Sequence, residues 1–211
     1  MIYRQQSTHE ELANSACHGI ALVAAVAGGL FLFGSSRHAG FLNVMGIGVF
    51  AFTMILLYLT STLYHALPEG KSKNLFLKLD HSAIYLFIAG SYTPFALSTL
   101  DNNKNWGLFG LIWAIALIGA TLKAFNKLAN TWLSTGIYLL LGWIVLIAAM
   151  PFVEKLPISV VTLLLSGGLA YTVGILFYLL DSRIRYSHAV WHGFVVAGSS
   201  CHFFAVLNFI N

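Results

Sequence analysis

FLNVMGIGVFAFTMILLYLTSTLY, residues 41–64, runs for 24 positions without an Asp, Glu, Lys or Arg. As a helix rising 1.5 Å per residue it reaches about 36 Å, enough to cross a hydrocarbon core of about 30 Å. Backbone groups in lipid must be satisfied within their own segment, so a helix is the reading that such a run allows. Similar runs lie to either side, at 16–34, 82–100, 106–125, 132–152, 158–180 and 187–210. The expectation is therefore all-α: an integral membrane bundle of seven transmembrane helices, forming a single domain over residues 1–211.

Composition agrees with this reading. The chain has 211 residues, 58% hydrophobic and 9% charged, and its mean hydropathy is +0.81, whereas soluble domains are about a quarter charged. The breaks between runs carry turn chemistry: Gly34-Ser35-Ser36, Leu67-Pro68-Glu69-Gly70, Asp101-Asn102-Asn103 and the segment from Pro151 to Pro157. No break is long enough to fold separately. The polar start, residues 1–11, leads into a full-length apolar run with no small-residue cleavage site behind it, so the first helix is expected to stay in the membrane. A net charge of +4 is spread over short connectors and forms no basic stripe, which argues against a nucleic-acid partner.

Orientation follows from the same connectors. With the amino terminus inside, Arg4, Lys71, Lys73, Lys78, Lys123, Lys127, Arg183 and Arg185 lie on the cytoplasmic side, against Arg37, Lys104 and Lys155 outside. That asymmetry places the amino terminus in the cytoplasm and the carboxyl terminus outside. Cys17 and Cys201 fall at different depths of the first and last spans, which disfavours a disulfide. Pro94, within Gly90-Ser91-Tyr92-Thr93-Pro94, reads as a packing kink, and Gly28, Gly29, Gly167 and Gly168 as close helix contacts.

Ionisable side chains inside spans are costly, so each needs a reason. His65 ends the second span, Asp80 begins the third, and His188 and His192 open the seventh, all at the same end of the bundle. His188-Ala189-Val190-Trp191-His192 sets two imidazoles at i and i+4 on one helical face, and His65 adds a third nitrogen. Three imidazoles suit zinc better than magnesium or calcium, which prefer oxygen, while iron, copper and nickel remain open. A carboxylate at Asp80 balances the charge of a divalent ion with its bound hydroxide. It can serve as a direct ligand or as a base acting through water, and spacing leaves both roles open. Ser61 lies one turn before His65; its hydroxyl can donate to a substrate oxygen or simply bond its own helix. Glu11, Asn14 and His18, at i, i+3 and i+7, form a polar stripe facing the same region, and His18 is a weaker candidate for a further ligand. His9 and His38 read as solvated, His81 as pointing about 100° away from Asp80, and His202 as too far along the last helix to share the ion.

The motifs Glu11-x2-Asn14-x3-His18, Ser61-Thr62-Leu63-Tyr64-His65, Asp80-His81-Ser82-Ala83-Ile84-Tyr85, Gly90-Ser91-Tyr92-Thr93-Pro94-Phe95 and His188-Ala189-Val190-Trp191-His192-Gly193-Phe194 together carry a family likeness. Over nearly its whole length the chain resembles the bacterial hemolysin III proteins of the progestin and adipoQ receptor family. The resemblance implies a seven-helix protein of the bacterial cytoplasmic membrane with zinc held by His65, His188 and His192, and Asp80 acting through a water. Ser61 matches a serine shared with a wider group of membrane hydrolases that includes the alkaline ceramidases. Two functions are consistent with it. One is a zinc-dependent hydrolase of membrane lipid amides or esters, with lipid as substrate, Asp80 moving the proton and Ser61 steadying the oxyanion. The other is a non-enzymatic regulator of membrane homeostasis with a structural zinc.

Overall fold

A computed structural model describes residues 6–36, 40–98, 106–128, 130–153 and 156–210, the side chains of 148–153 apart. Arg4, Arg37, His38, Lys104 and Lys155 lie outside these residues, as does the Asp101-Asn102-Asn103 turn. The described residues form seven helices and no strand: α1 (Thr8–Ser35), α2 (Phe41–Ala66), α3 (Lys71–Ser98), α4 (Trp106–Ala124), α5 (Thr131–Val153), α6 (Ile158–Leu179) and α7 (Ser187–Ile210). By length and composition, α1, α2, α4, α6 and α7 are each apolar enough to cross a membrane. With α3 and α5 alongside them they make a helical membrane bundle.

Two helices begin earlier than their apolar runs. α1 starts at Thr8, eight residues before residue 16, because Ser7 and Glu10 close a reciprocal capping box. The Ser7 backbone N–H donates to Glu10 Oε2 at 2.9 Å, and Glu10 N–H donates to Ser7 Oγ at 3.4 Å. α3 starts at Lys71, directly after Gly70, whose φ of +152° favours a residue without a Cβ. Asp80 is thus the tenth residue of a helix that extends well below its apolar part. α5 continues to Val153, so Pro151 belongs to its last turn instead of opening the connector.

The bundle is patterned inside out. On α1 the buried positions are Glu10, Asn14, His18, Ala21, Ala25, Gly29 and Leu32, while Ile20 and Val23 are 73% and 71% exposed. Apolar side chains face lipid, and the polar and small stripe faces the other helices, as expected where lipid removes the hydrophobic drive for helix association. Small residues set the closest approaches. A Cβ on Gly46 of α2 would lie 2.8 Å from the Pro94 Cα, and one on Gly90 of α3 would lie 2.1 Å from Thr53 Oγ1. The glycines singled out in the sequence are also in contact: Gly28 with Phe203, Gly29 with Ala51, Gly167 with His202 and Gly168 with Leu146. Cys17 and Cys201 are free thiols.

α3 belongs to both halves of the core. One half joins it to α1, α2, α6 and α7 through residues such as Phe50, Tyr58, Phe87 and Val206; the other joins it to α4 and α5 through Tyr85, Ile112 and Leu141. Between the halves a cavity of about 140 Å³ is bounded by α3, α5, α6 and α7, and touched by His18 of α1 and by Leu57 and Ser61 of α2.

Candidate metal centre and its cavity

α2 ends where α1, α3 and α7 begin, so donors far apart in sequence meet at one end of the bundle. One ring nitrogen from each of His65, His188 and His192 lies within 4.8 Å of the other two. Their ring centroids stand 4.7 to 5.1 Å apart, in edge-to-face arrangement. His65 is in the last turn of α2, and His188 and His192 are in the first two turns of α7.

Their outer partners fix the tautomers. His65 Nδ1 is 2.6 Å from Glu11 Oε2, His188 Nδ1 is 3.1 Å from Asp181 Oδ2, and His192 Nδ1 is 3.2 Å from the Asn14 carbonyl. Ionised carboxylates and backbone carbonyls only accept, so each Nδ1 carries the proton and each lone pair resides on Nε2. The Asn14 amide is also 3.4 Å from His65 Nδ1; the shorter contact to Glu11 decides the tautomer. His65 Nε2 is buried without a hydrogen-bond partner. Imidazoles held by Nδ1–H donation to oxygen, with Nε2 free, are the ordinary preparation for metal ligation. These three histidines therefore fit a metal ion.

Glu11 is itself held in place. Its Oε1 accepts from Lys73 Nζ at 3.0 Å, and the same ammonium reaches the Tyr64 and Leu67 carbonyls at 3.1 and 3.3 Å. Lys73 is 6% exposed, and it caps the end of α2 while neutralising the carboxylate behind His65. Glu10, one residue earlier, accepts from the Tyr186 N–H at 2.9 Å. That bond ties α1 to the residue before α7 and holds Tyr186 at a φ of 59°, a left-handed conformation uncommon for a bulky side chain.

Asp80 and Ser61 lie beside the histidines, on the wall of the cavity, with His188 and His192 also facing it. Ser61 is fully buried; its Oγ is 2.7 Å from His18 Nδ1 and interacts with the Asp80 carboxylate. The self-consistent donor order runs from His18 Nδ1–H to Ser61 Oγ, and from the Ser61 hydroxyl to Asp80. His18 stacks on His192 with centroids 3.6 Å apart. Neither His18 nor Asp80 is in the converging set, nor is His81, whose carbonyl accepts from Tyr138. His9 is exposed, and His202 lines the cavity deeper in the bundle.

Sequence reading did not find Lys73 or Asp181. Asp181 carried a signal, as the acidic residue of the short α6–α7 connector at the end of the bundle that holds His188. Lys73 carried none, because its partners come from α1 and from the end of α2.

A sequence profile described as "Haemolysin-III related" matches residues 6–203. The chain is 40% identical to "Hemolysin-3" of Bacillus cereus over 206 residues, covering 97% of this chain and 94% of that protein. It is 38% identical to "Hemolysin-3 homolog" of Bacillus subtilis (strain 168) over 199 residues, covering 94% and 93%. A more distant similarity, 25% over 213 residues, covers 96% of this chain and 85% of the human "Monocyte to macrophage differentiation factor". Donors at one end of an apolar helical bundle and near full-length matches lead to one conclusion: the chain belongs to the haemolysin-III related family, as a multi-pass bacterial membrane protein.

Proposed function

We propose that the protein is a zinc-dependent hydrolase of membrane lipid amides or esters, with its site toward the cytoplasmic face. The observation that carries the reading is the continuity of the donor cluster with an apolar cavity: Ser61, Asp80, His188 and His192 share a wall with Phe87, Ile88 and Val195. A purely structural metal needs no such chamber. Three nitrogen donors without a carboxylate among them suit zinc, and three protein ligands leave a position open, as in catalytic sites. The chemistry such an ion would supply is water activation, lowering the pKa of a bound water to about 7.

The chain's own residues account for the other requirements. Burial of Asp80 at 9% exposure keeps bulk water from competing for its oxygens. Its carboxylate takes the proton released as water adds to the carbonyl and returns it to the departing nitrogen or oxygen. The Ser61 hydroxyl, oriented by His18, turns from Asp80 to the oxygen on which charge develops. The lipid chain occupies the apolar cavity, entering from the bilayer beside α5. The excess of Lys and Arg at this end supports its position on the cytoplasmic side.

The test is fatty-acid release from defined ceramides and phospholipids by purified, zinc-loaded protein in lipid nanodiscs. Turnover in wild type that Asp80→Asn abolishes while zinc stays stoichiometric supports the reading. No release from any amide or ester in the panel overturns it in favour of a structural zinc in a regulatory protein.

A further inference from the structure

The cavity has a second polar place, remote from the histidine cluster. His202 follows His192 by ten residues on α7, which puts it about 15 Å farther along the helix axis. It is 7% exposed, and neither ring nitrogen has a hydrogen-bond partner. The Tyr171 ring of α6 stands 5.7 Å from the His202 ring, and its buried hydroxyl is also without a partner. Both residues line the same cavity as Asp80 and His188. Of the other hydroxyls on that wall, Ser91 donates to the Ile88 carbonyl at 2.9 Å and Thr172 to the Gly168 carbonyl at 2.7 Å, while the Thr135 hydroxyl of α5 is a further buried group without a partner. An orphaned donor or acceptor is expensive at membrane depth, where hydrocarbon offers nothing in exchange. Two such residues side by side, facing one cavity, mark a place where something polar binds.

The chemistry of that ligand follows from the wall. A neutral imidazole offers one N–H and one lone pair, and the phenol offers a further O–H. Among the described residues no Lys or Arg lines the cavity, so a carboxylate or phosphate at this depth would lack a counter-charge. A hydroxyl, at once donor and acceptor, satisfies the pair without bringing charge into the bundle. We propose that His202 and Tyr171 form a subsite for a hydroxyl group carried part-way along a lipid acyl chain, about 15 Å from the metal centre. The subsite makes the cavity selective for hydroxylated chains over plain ones. It rests on the reading that the cavity holds an acyl chain, but not on turnover.

The experiment measures equilibrium binding of octadecanoate and of octadecanoate bearing a mid-chain hydroxyl to zinc-loaded protein in nanodiscs. Wild type is expected to prefer the hydroxylated acid about tenfold, the worth of one well-made buried hydrogen bond. His202→Leu removes that preference, His202→Gln retains part of it, and both keep stoichiometric zinc. Tyr171→Phe reduces the preference and serves as the independent variant if His202→Leu fails to fold. Equal affinity of wild type for the two acids overturns the subsite alone and leaves the pair to an interior water. A preference that survives both His202→Leu and Tyr171→Phe also overturns it. Binding of neither acid removes the acyl-chain reading of the cavity, and the subsite with it.

Discussion

At the scale of the residue, the candidate metal centre is built from the partners of its three histidines as much as from the histidines themselves. His188→Ala and His192→Ala are each expected to abolish stoichiometric zinc, measured by elemental analysis of purified protein; zinc retained by both would remove them from the ligand set. Lys73→Met tests the outer layer. Without the ammonium, Glu11 loses a charge-assisted bond and the end of α2 loses its cap, so zinc affinity should fall about 10- to 100-fold in competition with a chelator, as for other outer partners of metal-bound histidines. Unchanged affinity would make Lys73 a cap for α2 and nothing more. Much of this layer was not legible in the sequence. HxxxH on one helix is local geometry and can be read from spacing, and the Glu11, Asn14 and His18 stripe is visible at i, i+3 and i+7. That Glu11 meets His65 while the Asn14 backbone meets His192 depends on how α1 rotates between α2 and α7, and no local pattern encodes that angle.

At the scale of the element, helix ends and close approaches set where the site residues stand. The apolar runs located every helix, because length in a hydrocarbon medium is read directly from composition. They misplaced the starts of α1 and α3, where polar turns continue the helix past the apolar part, α1 through its Ser7–Glu10 capping box. Asp80 therefore sits on the third turn of α3, a better-anchored place than a helix terminus. The α2–α3 contact is the tightest of the close approaches, with Thr53 Oγ1 where a Gly90 side chain would stand. Gly90→Ala should cost about 1–3 kcal/mol through overpacking, seen as a lowered thermal midpoint in detergent. Thr53→Ala in the same protein should recover part of the loss, and a strictly additive pair would show that the two residues do not share a contact.

At the scale of the whole molecule, the described Lys and Arg residues, Lys71, Lys73, Lys78, Lys123, Lys127, Arg183 and Arg185, gather at the end that bears the histidines. Single cysteines at Ser7 and Arg183, in protein lacking Cys17 and Cys201, should label only from the cytoplasmic side of sealed vesicles, and one at Gly40 only from the other; the reverse result would invert the topology. The cavity was invisible in the sequence because it arises from how α5 stands off from α6 and α7, which no apolar run records. The bond from Tyr186 to Glu10 and the meeting of His65 with His188 join the first two helices to the last across more than half of the chain. A ribosome releasing this polypeptide into the membrane cannot complete the donor set until the seventh helix has been threaded and swung back against the first. Completion of the donor set is thus the closing event of biogenesis, and a nascent chain stalled before α7 holds six helices and, of the three converging histidines, His65 alone.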